Sequence, residues 1–381
     1  MPSTGTFGSF EAPSYRVTES GTPSATSSPR QQAIADTMNN LWKTFLESQS
    51  AQIDDAGNIH FPAAPAEADC ALMELSPLGL IAVSGPEAES FLQGQVTNDV
   101  TRLTRGSSQL GSHCNPKGRI LANFRAFELD GISYLQLPRT QVTALLQRLR
   151  MYLLRTRATI EDASDRFVAI AIAGDCAPSL LASHMGPIPK KGNETTRKHD
   201  LIALRIPGPR PRFQILGPAS TLQGIWTDLA GTATVVNADY WSLLDIRAGL
   251  PTVYPQTSDA FVPQMVNLHR LDGVSFKKGC YTGQEVVARM QYLGKLKRRM
   301  YRARIGGEHT WPALGDPLYS PGDRSEQATG RVVDARRNGH GDYELLAVVE
   351  IAAITQEVRL GSPDGPRLTF SDPPYGFPEE S

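Results

Sequence analysis

The pattern of apolar residues changes at Arg299, and this change is the strongest constraint on the fold. Before it, strand-like and amphipathic helical segments alternate in two successive passes, residues 78–154 and 167–249. After it come only short strand-like segments separated by Gly, Pro and Asp turns, at 300–306, 316–320, 328–335, 343–351 and 356–361. We therefore expect an α+β protein with antiparallel sheets, in which two related lobes precede a small β-barrel or sandwich.

The first pass predicts strands at 78–83, 107–114, 119–129 and 132–137, with helices starting after Ser84-Gly85-Pro86-Glu87 and covering 141–154. The turn Asn115-Pro116-Lys117-Gly118 joins two of these strands as a hairpin. The second pass predicts strands at 167–173, 200–206 and 212–216, helices at 177–185, 219–229 and 239–248, and a polar loop at 186–199.

A chain of 381 residues suits two or three domains. Residues 1–30 are dominated by Ser, Thr, Gly and Pro, so they are interpreted as a disordered tail. Apolar residues at helical spacing predict a short helix within residues 31–50. The expected domains are a discontinuous two-lobed region at 31–298, whose second lobe lies near 165–235, and a β-barrel at 299–381.

Charge and cysteine content exclude several classes of protein. The net charge of -1 argues against a surface that binds nucleic acid over its whole area. The four cysteines lie far apart without a CxxC pair, so we expect reduced thiols rather than a disulfide framework, a zinc site or an iron–sulfur ligand set. No window resembles a membrane span, a secretory signal or a transit peptide, which predicts a cytoplasmic protein without a membrane partner.

Cys280 has the composition of a reactive-thiol environment around it. Lys277 and Lys278 precede it, and nearby ammonium groups favour the thiolate if the side chains converge. Gly279 and Gly283 allow tight turns and close approach of a ligand. On spacing alone, an inert cysteine buried at a helix start is equally compatible with this segment.

The segment Lys278-Gly279-Cys280-Tyr281-Thr282-Gly283-Gln284-Glu285 resembles the hallmark motif of YgfZ-type folate-binding proteins. Three further landmarks are similar to that family: residues 91–100, residues 114–122, and residues 247–251 together with 261–265. The resemblance covers residues 78–299, and more loosely the segment after them.

The resemblance implies a fold like the glycine-cleavage T-protein: a three-lobed ring of two ferredoxin-like lobes and a C-terminal β-barrel around a folate pocket. It implies tetrahydrofolate or a one-carbon derivative as cofactor, and iron–sulfur assembly proteins or client proteins, including enzymes that thiolate tRNA, as partners. Cys280 is then the reacting residue. Lys277, Lys278, Gly279, Tyr281, Gly283, Gln284 and Glu285 form its motif.

The same resemblance suggests a set of folate contacts, which comprises Asn98, Asp99, Asn115, Lys117, Arg119, Arg247, Gln264, Met265 and Arg289. Asn98 and Asp99 are equally compatible with a local turn role. Glu285 is compatible with orienting Lys278 or with a carboxylate at a helix N-terminus.

The chain departs from the aminomethyltransferases of this fold. Ala122 and Asn123 stand where those enzymes carry adjacent aspartates, so the general acid/base group of one-carbon transfer is missing. The T-protein pterin motif is also absent from the second lobe, where residues 205–212 are rich in Arg and Pro. A folate-dependent aminomethyl- or methyltransferase with another base remains an alternative, as does an adaptor that binds tRNA.

Two other groups have competing interpretations. A run of six cations comprises Lys295, Lys297, Arg298, Arg299, Arg302 and Arg304. It suits a glutamyl tail or RNA phosphate, although a solvated face explains such runs more often. His113 and Cys114 beside Cys280 would make an incomplete metal site, so a strand-end histidine and a core thiol are preferred, and no metal is predicted.

Overall fold

A computed structural model describes residues 40–55, 57–307, 311–320 and 328–377. The tail predicted for residues 1–30 lies outside them, as do residues 31–39 of the predicted first helix. Residues 40–48 of that helix are helical. No helix in the described ranges is long and apolar enough to cross a membrane.

Seven helices are described: α1 (residues 40–48), α2 (Ala88–Gln93), α3 (Arg139–Arg150), α4 (Ala177–Met185), α5 (Ala219–Ala230), α6 (Asp239–Ala248) and α7 (Gln284–Tyr292). The strands before α7 are β1 (Gln52–Ile53), β2 (Ile59–His60), β3 (Ala71–Glu74), β4 (Leu78–Ser84), β5 (Ser108–Cys114), β6 (Ile120–Leu129), β7 (Ile132–Pro138), β8 (Thr159–Asp162), β9 (Val168–Ala173), β10 (Thr195–Lys198), β11 (Leu201–Arg205), β12 (Arg212–Gly217) and β13 (Thr234–Val235). The strands after it are β14 (Arg298–Ile305), β15 (Pro317–Tyr319), β16 (Gly330–Arg337), β17 (Tyr343–Glu350), β18 (Arg359–Leu360) and β19 (Thr369–Ser371).

Three large sheets organise the chain. The first has the order β5-β6-β7-β4-β8 and is antiparallel throughout. The second has the order β10-β11-β12-β9-β3-β13, with one parallel pair, β3 and β13. The third has the order β18-β15-β16-β17-β14-β19, with antiparallel pairs only, and curls into a half-barrel. The predicted α+β class is confirmed.

The two lobes meet through the faces of their sheets that their own helices leave uncovered. Alternation along a strand sends successive side chains to opposite faces. Phe124 and Leu135 of the first sheet therefore pack under α2 and α3, whereas Phe127 and Tyr134 point the other way. That second face shares one core cluster with residues of the second sheet, such as Ile202, and with α6. A cavity lined by residues of both sheets and of α6 lies at this junction.

Two element predictions need correction. The loop predicted at 186–199 contains β10, whose polar sequence Thr-Thr-Arg-Lys conceals an edge strand paired only with β11. The helix predicted at 141–154 begins at Arg139 and ends at Arg150, and Leu154 lies in a turn with a φ of 35°. Turn residues after a helix can keep its apolar spacing without continuing its hydrogen bonds.

The expectation of four reduced thiols is wrong for Cys70 and Cys176, which form a disulfide. The two cysteines are 106 residues apart in the sequence, so their spacing did not indicate that they pair. The pairing follows from the register of β3 and β9, in which Ala71 lies opposite Ala173, so the ends of two adjacent strands bring the cysteines together. Cys114 and Cys280 are free.

Glu74 places a carboxyl group inside the second lobe, where it is 4% exposed. Burial raises its pKa from 4.5 to about 7, against the opposing effect of a 2.8 Å hydrogen bond from the Ser76 backbone amide. The pKa of Glu74 is higher in the folded protein than in the unfolded chain. The protonated carboxyl group therefore stabilises the folded state, and this contribution is complete at low pH. That contribution is lost as the pH rises from about 4.5 to about 7.

We expect Glu74→Gln to raise the free energy of unfolding at about pH 8 by up to about 3 kcal/mol, since a neutral amide avoids burying a charge. Urea denaturation between about pH 5 and pH 8 measures this, and the variant should show a flatter profile than the wild type. Glu47→Gln, the same change at an exposed position of α1, should leave the profile unaltered. Identical profiles for wild type and Glu74→Gln would contradict the expectation.

Candidate functional site

The hairpin turn between β5 and β6 is built by Asn115. Its side-chain oxygen accepts hydrogen bonds from the backbone amides of Lys117 and Arg119, at 2.9 and 3.0 Å. Gly118 completes the turn with a φ of 70°, a conformation that glycine adopts without strain. The predicted hairpin is therefore confirmed, and its tip is a rigid platform.

The N-terminus of α7 rests directly on this platform. Gly283 has a φ of 83°, and a Cβ atom there would lie 2.4 Å from the backbone oxygen of Asn115. A Cβ atom at Gly118 would lie 2.9 Å from Cβ of Val286. The two glycines thus let backbone approach backbone, and this contact joins two segments more than 150 residues apart, 115–118 and 283–286.

Lys278 anchors the segment before α7, the motif loop (residues 277–283). Its ammonium group points inward and donates hydrogen bonds to the backbone oxygens of Val96 and Asn98, at 2.7 and 2.8 Å. It also lies 5.2 Å from the centre of the Tyr281 ring. Burial lowers the pKa of Lys278 to about 8, although the Asp99 carboxylate opposes the shift. The motif loop is therefore tied to the turn after α2.

Cys280 stands at the exposed tip of the motif loop. Lys277 and Gly279 are exposed as well, and a Cβ atom on Gly279 would meet no heavy atom within 4 Å. The thiol is therefore open to other molecules, which the buried-cysteine interpretation did not allow. Because Lys278 turns inward, Lys277 is the motif lysine that stays at the surface. The thiol-activating role of both lysines stays a prediction.

The other free thiol, Cys114, has the opposite environment. It is fully buried, and burial raises its pKa to about 12, which keeps it protonated at neutral pH. Burial also raises the pKa of Tyr281, and the neighbouring Cys114 adds to this shift. The backbone amide of Tyr281 donates to the side-chain oxygen of Gln284 at 3.1 Å. Tyr281 and Gln284 therefore shape the loop beneath the exposed thiol.

His113 and Cys114 do not converge as metal ligands. They are successive residues of β5, and Nδ1 of His113 lies 2.8 Å from the backbone oxygen of Gln95 while its ring meets Tyr152 edge-on. Burial lowers the pKa of His113. Within the described ranges, no group of three or more His, Cys, Asp or Glu residues is arranged to hold a metal ion.

Asn98 and Asp99 have structural partners. The Asn98 side-chain amide donates to the backbone oxygens of Leu110 and Asp272, at 2.7 and 2.6 Å. Asp99 caps a short 3-10 turn, and hydrogen bonds from Thr101 hold its pKa below the usual range. These contacts account for both residues as turn formers, and their predicted contact with folate stays untested.

Other predicted folate contacts brace the segment 257–264 against the hairpin. Asn115 donates to the Asp259 carboxylate at 2.5 Å, and Arg119 donates to the backbone oxygen of Ala260 at 2.8 Å. Gln264 donates to the backbone oxygen of Val287 in α7 at 2.7 Å. Three more residues of the set lie nearer the surface: Met265 is half-buried, and Lys117 and Arg289 are exposed. Glu285 of the Cys280 motif is exposed as well.

Arg247 belongs to a structural ion-pair network. Its guanidinium binds the carboxylates of Glu67 and Glu344, with closest contacts of 2.7 and 2.6 Å. Hydrogen bonds from Arg247 and Gly339 hold the pKa of Glu67 low despite partial burial. The three charged residues tie the segment before β3 and the third sheet to α6. The structure thus brings Arg247 to a junction of the lobes rather than to the motif loop.

A second feature is the cavity between the lobes, about 80 Å³ in volume, enough for about two or three water molecules. Its wall combines apolar and polar residues and includes Leu110, Asn123, Arg125, Gln136, Gln214, Trp241 and Asp245. Asn123 clamps the following loop, because it donates to Pro251 and accepts from Val253, both at 2.7 Å. Ala122 lies on the opposite, helix-covered face of β6.

Sequence reasoning missed two charged residues that line this cavity, Arg125 and Asp245, and the buried arginine that pairs with Asp245. Arg212 is 1% exposed and pairs with Asp245 at 2.8 Å. Burial raises the pKa of Asp245, although Arg212 opposes the shift. Arg125, 7% exposed, donates to Asn193 at 2.6 Å. The position of these charged residues within apolar strands and a helix was the available signal, because a charged residue that is buried there needs a partner.

Gln214 lines the cavity with a fully buried side-chain donor that lacks a hydrogen-bond partner among the residues that the structure describes. It is 1% exposed, and its amide nitrogen has no hydrogen-bond partner in the described part of the chain. Buried polar atoms without partners are rare and call for a ligand or water. The wall of the cavity therefore combines an unused donor with the Asp245 carboxyl group.

The run of six cations does not form one surface. Alternation along β14 distributes its side chains over both faces of the strand. Arg298 pairs with Glu350 at 2.9 Å, and Arg304 pairs with Asp342. Arg299 is 6% exposed and lies over the ring of Phe377. Lys295 and Lys297, which precede or begin the turn into β14, are exposed.

Comparisons with known proteins agree with this architecture. Residues 63–191 match the family described as GCVT N-terminal domain. A protein of Escherichia fergusonii named tRNA-modifying protein YgfZ is 34% identical over 289 residues, 76% of this chain and 88% of that protein. Its namesake from Escherichia coli O7:K1 is 31% identical over 319 residues, 84% of this chain and 97% of that protein.

A solved structure shows the same fold. The glycine cleavage system aminomethyltransferase T from Bartonella henselae superposes with a TM-score of 0.71 at 18% sequence identity. The match covers 88% of this chain and 97% of that one. The predicted T-protein arrangement is confirmed.

We expect Gly283→Ala to lower the free energy of unfolding by about 1–3 kcal/mol, because a Cβ atom strains the left-handed backbone and collides with the hairpin turn. Gly279→Ala in the same motif is the matched control, and it should change stability by less than about 0.5 kcal/mol. Urea denaturation of both variants measures the difference. Equal stability of the two would show that the contact between hairpin and α7 is not tight.

Proposed function

The chain belongs to the YgfZ family, and on that premise we propose that it is a tRNA-modification-related protein that binds tetrahydrofolate or a one-carbon derivative. We further propose that it assists the assembly or repair of iron–sulfur clusters in client enzymes, including those that thiolate tRNA. Cys280 is the residue through which it acts. The exposure of this thiol on a braced loop is the observation that carries the proposal.

The geometry of the motif loop supports a role in which the thiol meets another molecule. A thiolate must be accessible to bind iron or attack a sulfur atom, and Cys280 is the accessible one of the two free cysteines. Clusters are commonly held by four cysteine thiolates. Because the described residues offer no such set around Cys280, a cluster handled here has to be bound by the client as well.

The cavity between the lobes is our candidate for the folate pocket. A pterin ring presents N–H donors beside a carbonyl oxygen, and the Asp245 carboxylate and the free Gln214 amide are their chemical complements. The cavity is smaller than the bicyclic ring, so binding requires the facing side chains or residues 250–252 to move apart. The residues fit the cofactor, whose reduced ring would supply one-carbon or redox chemistry when bound.

A classical aminomethyltransferase is disfavoured. Ala122 faces the helix-covered side of its sheet, and the Asn123 amide is committed to the backbone of Pro251 and Val253. Neither side chain can exchange a proton at neutral pH, so the hairpin positions offer no general acid or base. Folate would therefore act here as a bound cofactor or effector rather than as an aminomethyl acceptor served by these positions.

We place the protein in the cytoplasm, where tRNA and the enzymes that modify it are found. The disulfide between Cys70 and Cys176 opposes this placement, since such bonds are rare in a reducing cytosol. The placement therefore rests on the proposed clients.

We expect the purified protein to bind tetrahydrofolate. Gln214→Leu should bind it about 10-fold more weakly, because leucine has a similar shape but lacks the buried N–H donor. Calorimetric titration measures both affinities. The amide nitrogen of Gln214 has no hydrogen-bond partner to lose within the described ranges, so the unfolding midpoint should change little. Cys280→Ala should bind folate like the wild type. Equal affinity of Gln214→Leu and wild type would remove this cavity from the proposal.

In a strain that lacks its own homologue, we expect the wild-type chain to restore the activity of a tRNA-thiolating iron–sulfur enzyme and Cys280→Ala to fail. Cys114→Ala is the matched control and should restore it, because the Cys114 thiol is buried and protonated. Mass spectrometry of the thiolated nucleoside reads the outcome at matched expression. Equal rescue by all three proteins would exclude Cys280 from the mechanism.

A further inference from the structure

Two long segments of this nearly neutral chain contain no acidic residue. Residues 131–160 include five arginines, and residues 286–307 include five arginines and two lysines. The chain as a whole has a net charge of -1. Positive charge is therefore concentrated in two segments that lie far apart in the sequence.

In the folded protein, both segments lie close to residues that adjoin or contact the motif loop. Tyr292, at the end of α7, contacts the ring of Phe276, which directly precedes the loop, at 6.1 Å between centres. Tyr152, just after α3, contacts the ring of His113 at 6.3 Å. His113 forms a β-bridge with Val96, whose backbone oxygen accepts a hydrogen bond from Lys278. The exposed thiol thus lies in a region with positive segments around it.

Several cations here have no acidic partner. The structure pairs other arginines of the two segments, such as Arg157 with Glu87 and Arg298 with Glu350. In contrast, five exposed cations form neither an ion pair nor a side-chain hydrogen bond with any described residue, and we call them the basic rim: Arg155, Lys277, Arg289, Lys295 and Lys297. Unpaired cations around a reactive group attract an anionic partner.

Large apolar side chains are exposed beside these charges. Tyr292 is 68% exposed and Leu293 is 85% exposed. At the end of α3, Met151 and Leu154 are 62% and 92% exposed. A tyrosine ring among unpaired cations is the combination that binds unpaired nucleotides, since the ring stacks on a base while the cations contact phosphates.

We propose that the basic rim and Tyr292 bind a structured RNA with an unpaired loop, and that they hold it next to Cys280. This inference rests on the proposed function, because it gives a tRNA-modification-related protein a direct contact with its RNA. Phosphates lie against the rim, and one unpaired base stacks on Tyr292. An acidic protein is the competing partner, and the spread of single cations over two segments around an aromatic ring favours RNA.

The test is the binding of a fluorescent, unmodified tRNA transcript, followed by anisotropy from about 25 to 200 mM salt. We expect binding that weakens steeply with salt, as release of counterions requires. Lys295→Glu/Lys297→Glu should weaken binding at least about tenfold and reduce the slope of log K against log salt by about 2. The matched control is Lys190→Glu/Lys191→Glu, which reverses two exposed lysines in the second lobe.

The role of Tyr292 is tested separately with the same transcript and with a fully paired RNA hairpin stem. Tyr292→Ala should weaken binding of the tRNA about tenfold, whereas Tyr292→Phe should keep it, because a phenyl ring also stacks. Binding of the paired stem should not change with either variant. Equal losses for both RNAs would show that the ring does not stack on an unpaired base.

The outcome is separable from that of the proposed function. Folate titration and rescue by the wild type test the function without any RNA-binding measurement. Loss of rescue by Lys295→Glu/Lys297→Glu together with loss of tRNA binding supports the inference. No tRNA binding by the wild type at low salt overturns it, as does equal weakening by the second-lobe control. If the rim variant loses rescue while the wild type binds no tRNA, the rim binds a protein and the inference is wrong.

Discussion

The close contact between the hairpin turn at Asn115 and the backbone of Gly283 determines where the motif loop lies. Because neither Gly283 nor Gly118 carries a Cβ atom, α7 starts directly on the turn. Lys278 adds a second fixed point when its ammonium binds the carbonyls of Val96 and Asn98. The motif loop is therefore held at both ends, and its exposed tip carries Cys280.

Buried and half-buried ion pairs also hold distant elements of the chain together. Asp245 in the wall of the cavity pairs with the buried Arg212, and Arg247 is held by two carboxylates at the junction with the third sheet. Each pair joins elements from different parts of the chain. Removing one partner would leave an isolated charge in a dry environment, which is far less favourable than the intact pair. The charges therefore specify how the lobes are assembled.

The sequence allowed most elements and the motif to be predicted, because both depend on local patterns. Period-two and helical spacing located the main strands and helices, and the YgfZ resemblance led to the T-protein fold. The features that could not be predicted from the sequence depend on packing between distant segments. The Cys70–Cys176 disulfide follows from strand register, and the inward turn of Lys278 depends on carbonyls supplied by residues 96–98. Several residues predicted to contact folate also brace loops, as Arg119 and Gln264 show.

The position of β3 has a consequence for modularity. This strand lies between β9 and β13 in the second sheet, although the next strand in the chain, β4, belongs to the first sheet. The polypeptide therefore enters the second lobe, leaves it to build the first, and returns. The first lobe, residues 78–162, is thus a continuous insertion within the second, whose strands come from both sides of it. The second lobe cannot be exchanged as one uninterrupted cassette, and any insertion or deletion in the first must keep its two ends close together.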